Sequence, residues 1–143
     1  MNHSTKKFDN EFVKDLKGHL PMEAKEAEKF FHLTSICEAE LPKLFFKILL
    51  YDSMLHSEII GDLIRMLSTR DAESLYKECV SYVKAHLDEF REHVKEEEDA
   101  LKEAELRLKE TRNPFVETLF QHMARNEESH AAMLKTLVKE ARE

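Results

Sequence analysis

Apolar residues along this chain recur at alternating steps of three and four, the spacing of one face of a helix. Phe90, Val94, Glu97, Leu101, Ala104 and Leu108 form one such stripe, and Phe120, Met123, Glu127, His130, Leu134 and Leu137 form another. The first half of the chain gives Leu16, Leu20, Glu23, Ala27 and Phe30, then Phe46, Leu49, Ser53, His56, Ile60 and Leu63. Four long helices follow from these stripes. The first is predicted over about residues 9–40, with Asp9 as N-cap and a kink or break at Gly18 and Pro21. The second starts near Pro42, a natural first-turn residue, and runs to about Leu67. Residues 68–71 make the middle connection, with Asp71 as the N-cap of a third helix that reaches about Thr111. The chain turns at residues 112–114, and a fourth helix occupies about residues 114–139.

The stripes are related by a shift of 74 residues. His19-x-x-x-Glu23 followed by Asp52-Ser53-x-x-His56 aligns without a gap on His93-x-x-x-Glu97 followed by Asn126-Glu127-x-x-His130. The same shift pairs Leu16 with Phe90, Leu20 with Val94, Phe46 with Phe120, Leu49 with Met123 and Ile59 with Met133. One helical hairpin has been used twice, over about residues 9–67 and 72–140. Neither copy can cover its own apolar stripe, so the expected fold is an all-α four-helix bundle forming a single domain over residues 1–143.

Composition narrows the class without changing it. The 143 residues are 42% hydrophobic and 36% charged, with only two Gly and three Pro, a mixture suited to amphipathic helices and poor in turns for sheets. A net charge of −7 with interspersed signs leaves no basic surface for nucleic acid. The apolar run at residues 44–51 is interrupted by Lys47 and too short to span a bilayer. The N-terminus lacks the apolar run of a signal peptide, and a soluble cytoplasmic protein is expected. Cys37 and Cys79 are isolated and read as small apolar side chains. Glu98–Lys102, Glu103–Arg107 and Glu105–Lys109 are spaced as acid-then-base pairs on a solvated face.

Candidate chemistry lies where polar residues interrupt the stripes. Carboxylates in a core stripe are costly when ionised and unpaired. Two glutamates with two aligned histidines at one level of a bundle demand a cation or a tight polar network. Glu127 and His130, at i and i+3, point the same way, and Glu97 adds an oxygen from the facing helix. This oxygen and nitrogen set suits iron, manganese or zinc and is too poor in hard oxygens for calcium. His19 and His93 lie one turn before Glu23 and Glu97 and are available as further nitrogen ligands. Asp52 sits about 100° around the helix from Ser53 and, like Asn126, is placed to orient a ligand. The plainer readings are a surface Glu127–His130 pair, glutamates reaching water from the stripe's edge, and structural roles for His19 and His93. His32, His86 and His122 have no matched carboxylate and read as packing or surface residues, and His3 lies in the N-terminal tail.

The segments HVKEEEDAL and NPFVETLFQHMARNEESHAAML resemble the third and fourth helices of the rubrerythrin-like branch of the ferritin-like superfamily. The resemblance covers nearly the whole chain at pattern level. It implies one Glu and then a Glu-x-x-His from each hairpin, with two metals sharing bridging carboxylates. Carried over, the metal ligands are Glu23, His56, Glu97, Glu127 and His130, with Ser53 departing from the pattern at one bridging position. Iron is the first metal implied, with manganese or zinc as alternatives and one or two ions bound. The implied chemistry is oxidoreductase chemistry on dioxygen or peroxide, or oxidation of iron itself. The chain has no C-x-x-C module and no haem motif, so an external electron donor is required. Monomer and homodimer both remain open.

Two other functions compete. The segment EHVKEEED is similar to the His-x-x-x-Glu of hemerythrin-like oxygen or metal sensors, but the His-x-x-x-His that family needs is missing. A metal-poor structural or interaction bundle with a ferritin-like ancestor is the other, and Ser53 favours it.

Overall fold

The computed structural model describes residues 10–142, and the regular structure among them is entirely helical. His3 and Asp9, the expected first N-cap, lie outside the described residues. Among the described residues five helices are present where four were expected: α1 Asn10–Ile36, α2 Glu40–Thr69, α3 Ala72–Ala85, α4 Leu87–Glu110 and α5 Pro114–Arg142. The chain divides into two compact units, one ending at Leu75 and the other starting at Tyr76.

In the first unit α1 and α2 pack on each other as a helical hairpin across residues 37–39. The expected break at Gly18 and Pro21 does not occur, because α1 runs unbroken through both. Proline lacks a single backbone N–H, and the rest of a 27-residue helix outweighs that loss. The first helix also stops at Ile36, four residues short of expectation, and α2 begins at Glu40 after Ala39 in extended conformation. Pro42 is tolerated because the first amide bonded within α2 belongs to Lys43, whose N–H donates to the Ala39 carbonyl at 3.1 Å. Leu50, Ser53 and Ile60 are the buried residues of α2, and they share one face. Leu44, Leu49, Tyr51, Met54, Leu55 and Ile59 on the same helix are exposed.

Asp71 ends the connection as expected, its Oδ1 accepting the Ser74 N–H at 2.7 Å. The single third helix expected from there to Thr111 is instead two helices meeting at His86. His86 has φ −126° and ψ 28°, and its N–H donates three residues back to Val83 rather than four. Tyr82 faces the His86 ring at 4.6 Å and meets Phe90 edge-on at 6.4 Å, so three aromatic rings line the break. The apolar period keeps its phase from Val83 to Phe90, and periodicity alone therefore reads straight across it.

The second unit is dominated by the α4–α5 hairpin. Its connection, expected as a plain turn, ends in a cap: Asn113 Oδ1 accepts the N–H groups of Phe115 at 2.9 Å and Val116 at 3.3 Å. Ala104 on α4 and Ala131, Val138 and Ala141 on α5 are buried, small side chains that let two helices approach closely. Tyr76 of α3 donates its hydroxyl to Glu140 of α5 at 3.0 Å. Arg107 holds Glu103 and Glu110, each at 2.7 Å, while Glu98 reaches Lys135 on α5 at 3.7 Å.

The 74-residue shift is now visible in the backbone. It carries the end of α1 at Ile36 onto the end of α4 at Glu110, and the start of α2 at Glu40 onto the start of α5 at Pro114. The repeated hairpins are therefore α1–α2 and α4–α5, and α3 is an additional helix between them. The second hairpin begins near Leu87 rather than near residue 72.

Candidate metal centre

Each hairpin gathers its own polar cluster. In the second, Glu97 comes from α4 and Glu127 with His130 from α5. One ligand-type atom from each of the three lies within 4.8 Å of the other two. His130 Nδ1 is 3.3 Å from Glu97 Oε2 and 3.7 Å from Glu127 Oε2, so one imidazole serves both carboxyl groups. The glutamates are partly buried and His130 is exposed, which leaves an open side to the cluster.

The two carboxyl groups are driven apart in acidity. Glu127 is pushed above the ordinary glutamate range, first by its hydrogen bond to Glu97, then by burial and by the charge of Glu97. Glu97 is pulled below that range, first by the same hydrogen bond from Glu127 and then by His130. Two negative charges held this close repel, and the repulsion shows as a stronger hold of Glu127 on its proton. A divalent cation relieves it equally well by replacing that proton.

The first hairpin is built differently at matching positions. Glu23 of α1 is only 8% exposed and Ser53 of α2 only 4%, so these two polar positions of the stripe lie inside the hairpin, while His56 is exposed. His19 Nε2 is hydrogen-bonded to Glu23 Oε1 at 3.0 Å, one turn away on the same helix. His56 Nδ1 approaches the other oxygen, Oε2, at 3.4 Å. That contact is long and off the line of a hydrogen bond, and Oε2 remains buried without a hydrogen-bond partner. Asp52 is half-buried beside this stripe.

The matched histidines and their neighbours diverge between the copies. His19 binds Glu23, whereas His93 turns to Glu96 at 3.1 Å on the exposed side of α4. Asn126 pairs with His122 at 3.1 Å, one turn back along α5, and not with the cluster. His122 thereby gains a partner that its spacing to carboxylates did not disclose. The signal was present as His-x-x-x-Asn, an i,i+4 pair on one helix face.

No protein-family model, no curated protein and no solved structure matches this chain. Among the described residues, no helix is long and apolar enough to cross a membrane.

Proposed function

We propose that this chain is a metal-binding helical protein whose primary site is Glu97, Glu127 and His130. The observation that carries the reading is the convergence of these three donors, two of which are carboxyl groups close enough to drive each other's acidity apart. Two carboxylate oxygens and one imidazole nitrogen suit iron or manganese, with zinc as an alternative. The dinuclear centre implied by the ferritin-like resemblance needs a carboxylate at position 53, and a buried serine stands there. The residues present fit one ion at the second hairpin and do not fit a symmetric pair of ions bridged by two carboxylates.

The ferritin-like four-helix bundle belongs to this proposal as well. Exposed apolar side chains occur at repeat-matched positions, Leu49 with Met123 and Ile59 with Met133. Such side chains favour burial against a second hairpin, and pairing the two copies supplies one. Bound iron or manganese supplies a redox couple for dioxygen, peroxide or iron oxidation, with electrons from a separate donor. The chain's own part is to hold the ion, to take up or release the Glu127 proton and to leave one side of the site open.

Metal analysis of the purified protein after anaerobic reconstitution with Fe(II) or Mn(II) tests the reading. Bound metal in the parent that falls sharply in Glu127→Ala and His130→Ala is the expected result. Equal metal content in all three proteins overturns it. The exposed apolar side chains also favour a second reading, an interaction bundle without metal. For that reading, Glu127→Ala raises the melting temperature and added metal leaves the parent's melting temperature unchanged.

A further inference from the structure

We propose that the outer face of α2 docks on the same face of a second copy of this chain, the two helices running antiparallel about a two-fold axis near Tyr51. Leu44, Ile48, Tyr51 and Leu55 follow steps of four, three and four and form one apolar stripe. At about 100° per residue, the stripe lies on the opposite side of α2 from Leu50, Ser53 and Ile60, the residues buried within the hairpin. Leu44, Tyr51 and Leu55 are exposed, and Ile48 is half-buried.

Hairpin packing does not require this stripe. The 74-residue shift carries Leu44, Ile48, Tyr51 and Leu55 onto Thr118, His122, Arg125 and Ser129, so the matched face of α5 is polar throughout. Yet α5 packs on α4 as α2 packs on α1. The stripe also lies about a third of a turn from Leu49, and so is distinct from the position invoked above for pairing the two hairpins.

Self-complementary charge favours a second copy as the occupant. With α2 antiparallel to itself, Ile48 falls opposite Leu55 of the second copy, and Leu44 opposite its Ile59. The same register sets Lys47 within reach of Glu58 and Glu40 within reach of Arg65, four exposed side chains on one flank of the stripe. Antiparallel helices related by a two-fold axis bring like flanks together, so each of these pairs is made twice. Asp62, which ends the apolar stretch on this face, falls beside Lys43 of the second copy.

Sedimentation equilibrium of the full-length protein in the presence of a chelator tests this. The parent is expected to form a concentration-dependent dimer. Leu55→Ser, which installs the residue found at the matched position of α5, should weaken the dimer at least about tenfold with helix content unchanged by circular dichroism. Lys47→Glu should weaken it by a similar factor, because two attractive contacts become two repulsive ones, and Lys47→Glu combined with Glu58→Lys should recover it. A parent that stays monomeric at every concentration overturns the proposal. So does a dimer that Leu55→Ser and Lys47→Glu leave unchanged. A charge-swapped double variant that recovers nothing overturns the antiparallel register and the proposal with it. None of these readouts depends on Glu127 or His130, so the metal-binding reading stands or falls separately.

Discussion

Glu127 faces Glu97 across the α4–α5 hairpin, and the two carboxyl groups leave the ordinary glutamate value of 4.5 in opposite directions, Glu127 upward and Glu97 downward. Glu97, lowered, contributes stability that is complete above that value and is lost as pH falls through its folded pKa. Glu127, raised, contributes stability that is complete below it and is lost as pH rises through its folded pKa. The metal-free pair is therefore at its best in the mildly acidic range. Glu127→Gln keeps a donor toward Glu97 that cannot titrate, and should remove the decline on the rising side by about 1 kcal/mol. Melting temperature against pH in metal-free buffer, parent against variant, reads this directly. A parallel decline in both proteins contradicts it.

Metal binding at Glu97, Glu127 and His130 should compete with protonation of Glu127. Affinity is expected to rise with pH until Glu127 is ionised and then to level off. Calorimetry in buffers of different ionisation enthalpy counts the protons released, and Glu127→Gln should release fewer while binding more weakly.

Placing a carboxylate at position 53 should cost stability when metal is absent. Ser53 is almost wholly buried, and a glutamate there places a second charge in a stripe that already holds Glu23. Ser53→Glu is expected to destabilise the metal-free protein by about 3 kcal/mol, with added Fe(II) or Mn(II) recovering part of the loss. Chemical denaturation with and without metal measures both quantities.

The small residues between α4 and α5 are a packing requirement. Ala104→Leu should destabilise by about 1–3 kcal/mol through overpacking. Asn113→Ala should cost about 1 kcal/mol by leaving the amides of Phe115 and Val116 without their shared acceptor. Both are read from urea unfolding monitored by circular dichroism.

The helices themselves were legible because an amphipathic stripe writes itself at steps of three and four. The ends of α2 and α4, the Asp71 cap and the hairpin connection at residues 111–113 fell within a few residues of expectation. The break at His86 was not legible, since neither glycine nor proline marks it and the apolar phase is preserved across it. Pro21 misled for the opposite reason: a strong breaker signal was overruled by the length of helix around it. Glu97, Glu127 and His130 could be assembled from spacing alone, because i,i+3 geometry and the repeat fix them on facing helices. The different partners of His19 and His93 could not, because both have a glutamate at i+4. Glu96 at i+3 of His93 decides the second rotamer, and no matching acid exists at Met22.

The donors of each cluster come from two consecutive helices joined by three residues, at sequence separations no greater than one hairpin. Closing one short loop brings them together, which makes these clusters objects of low contact order. In a chain emerging from the ribosome, the His19, Glu23 and His56 cluster is complete once residues up to about the end of α2 are available, before any residue of the α4–α5 hairpin has been made. The order in which the two clusters form is therefore set by the order of translation.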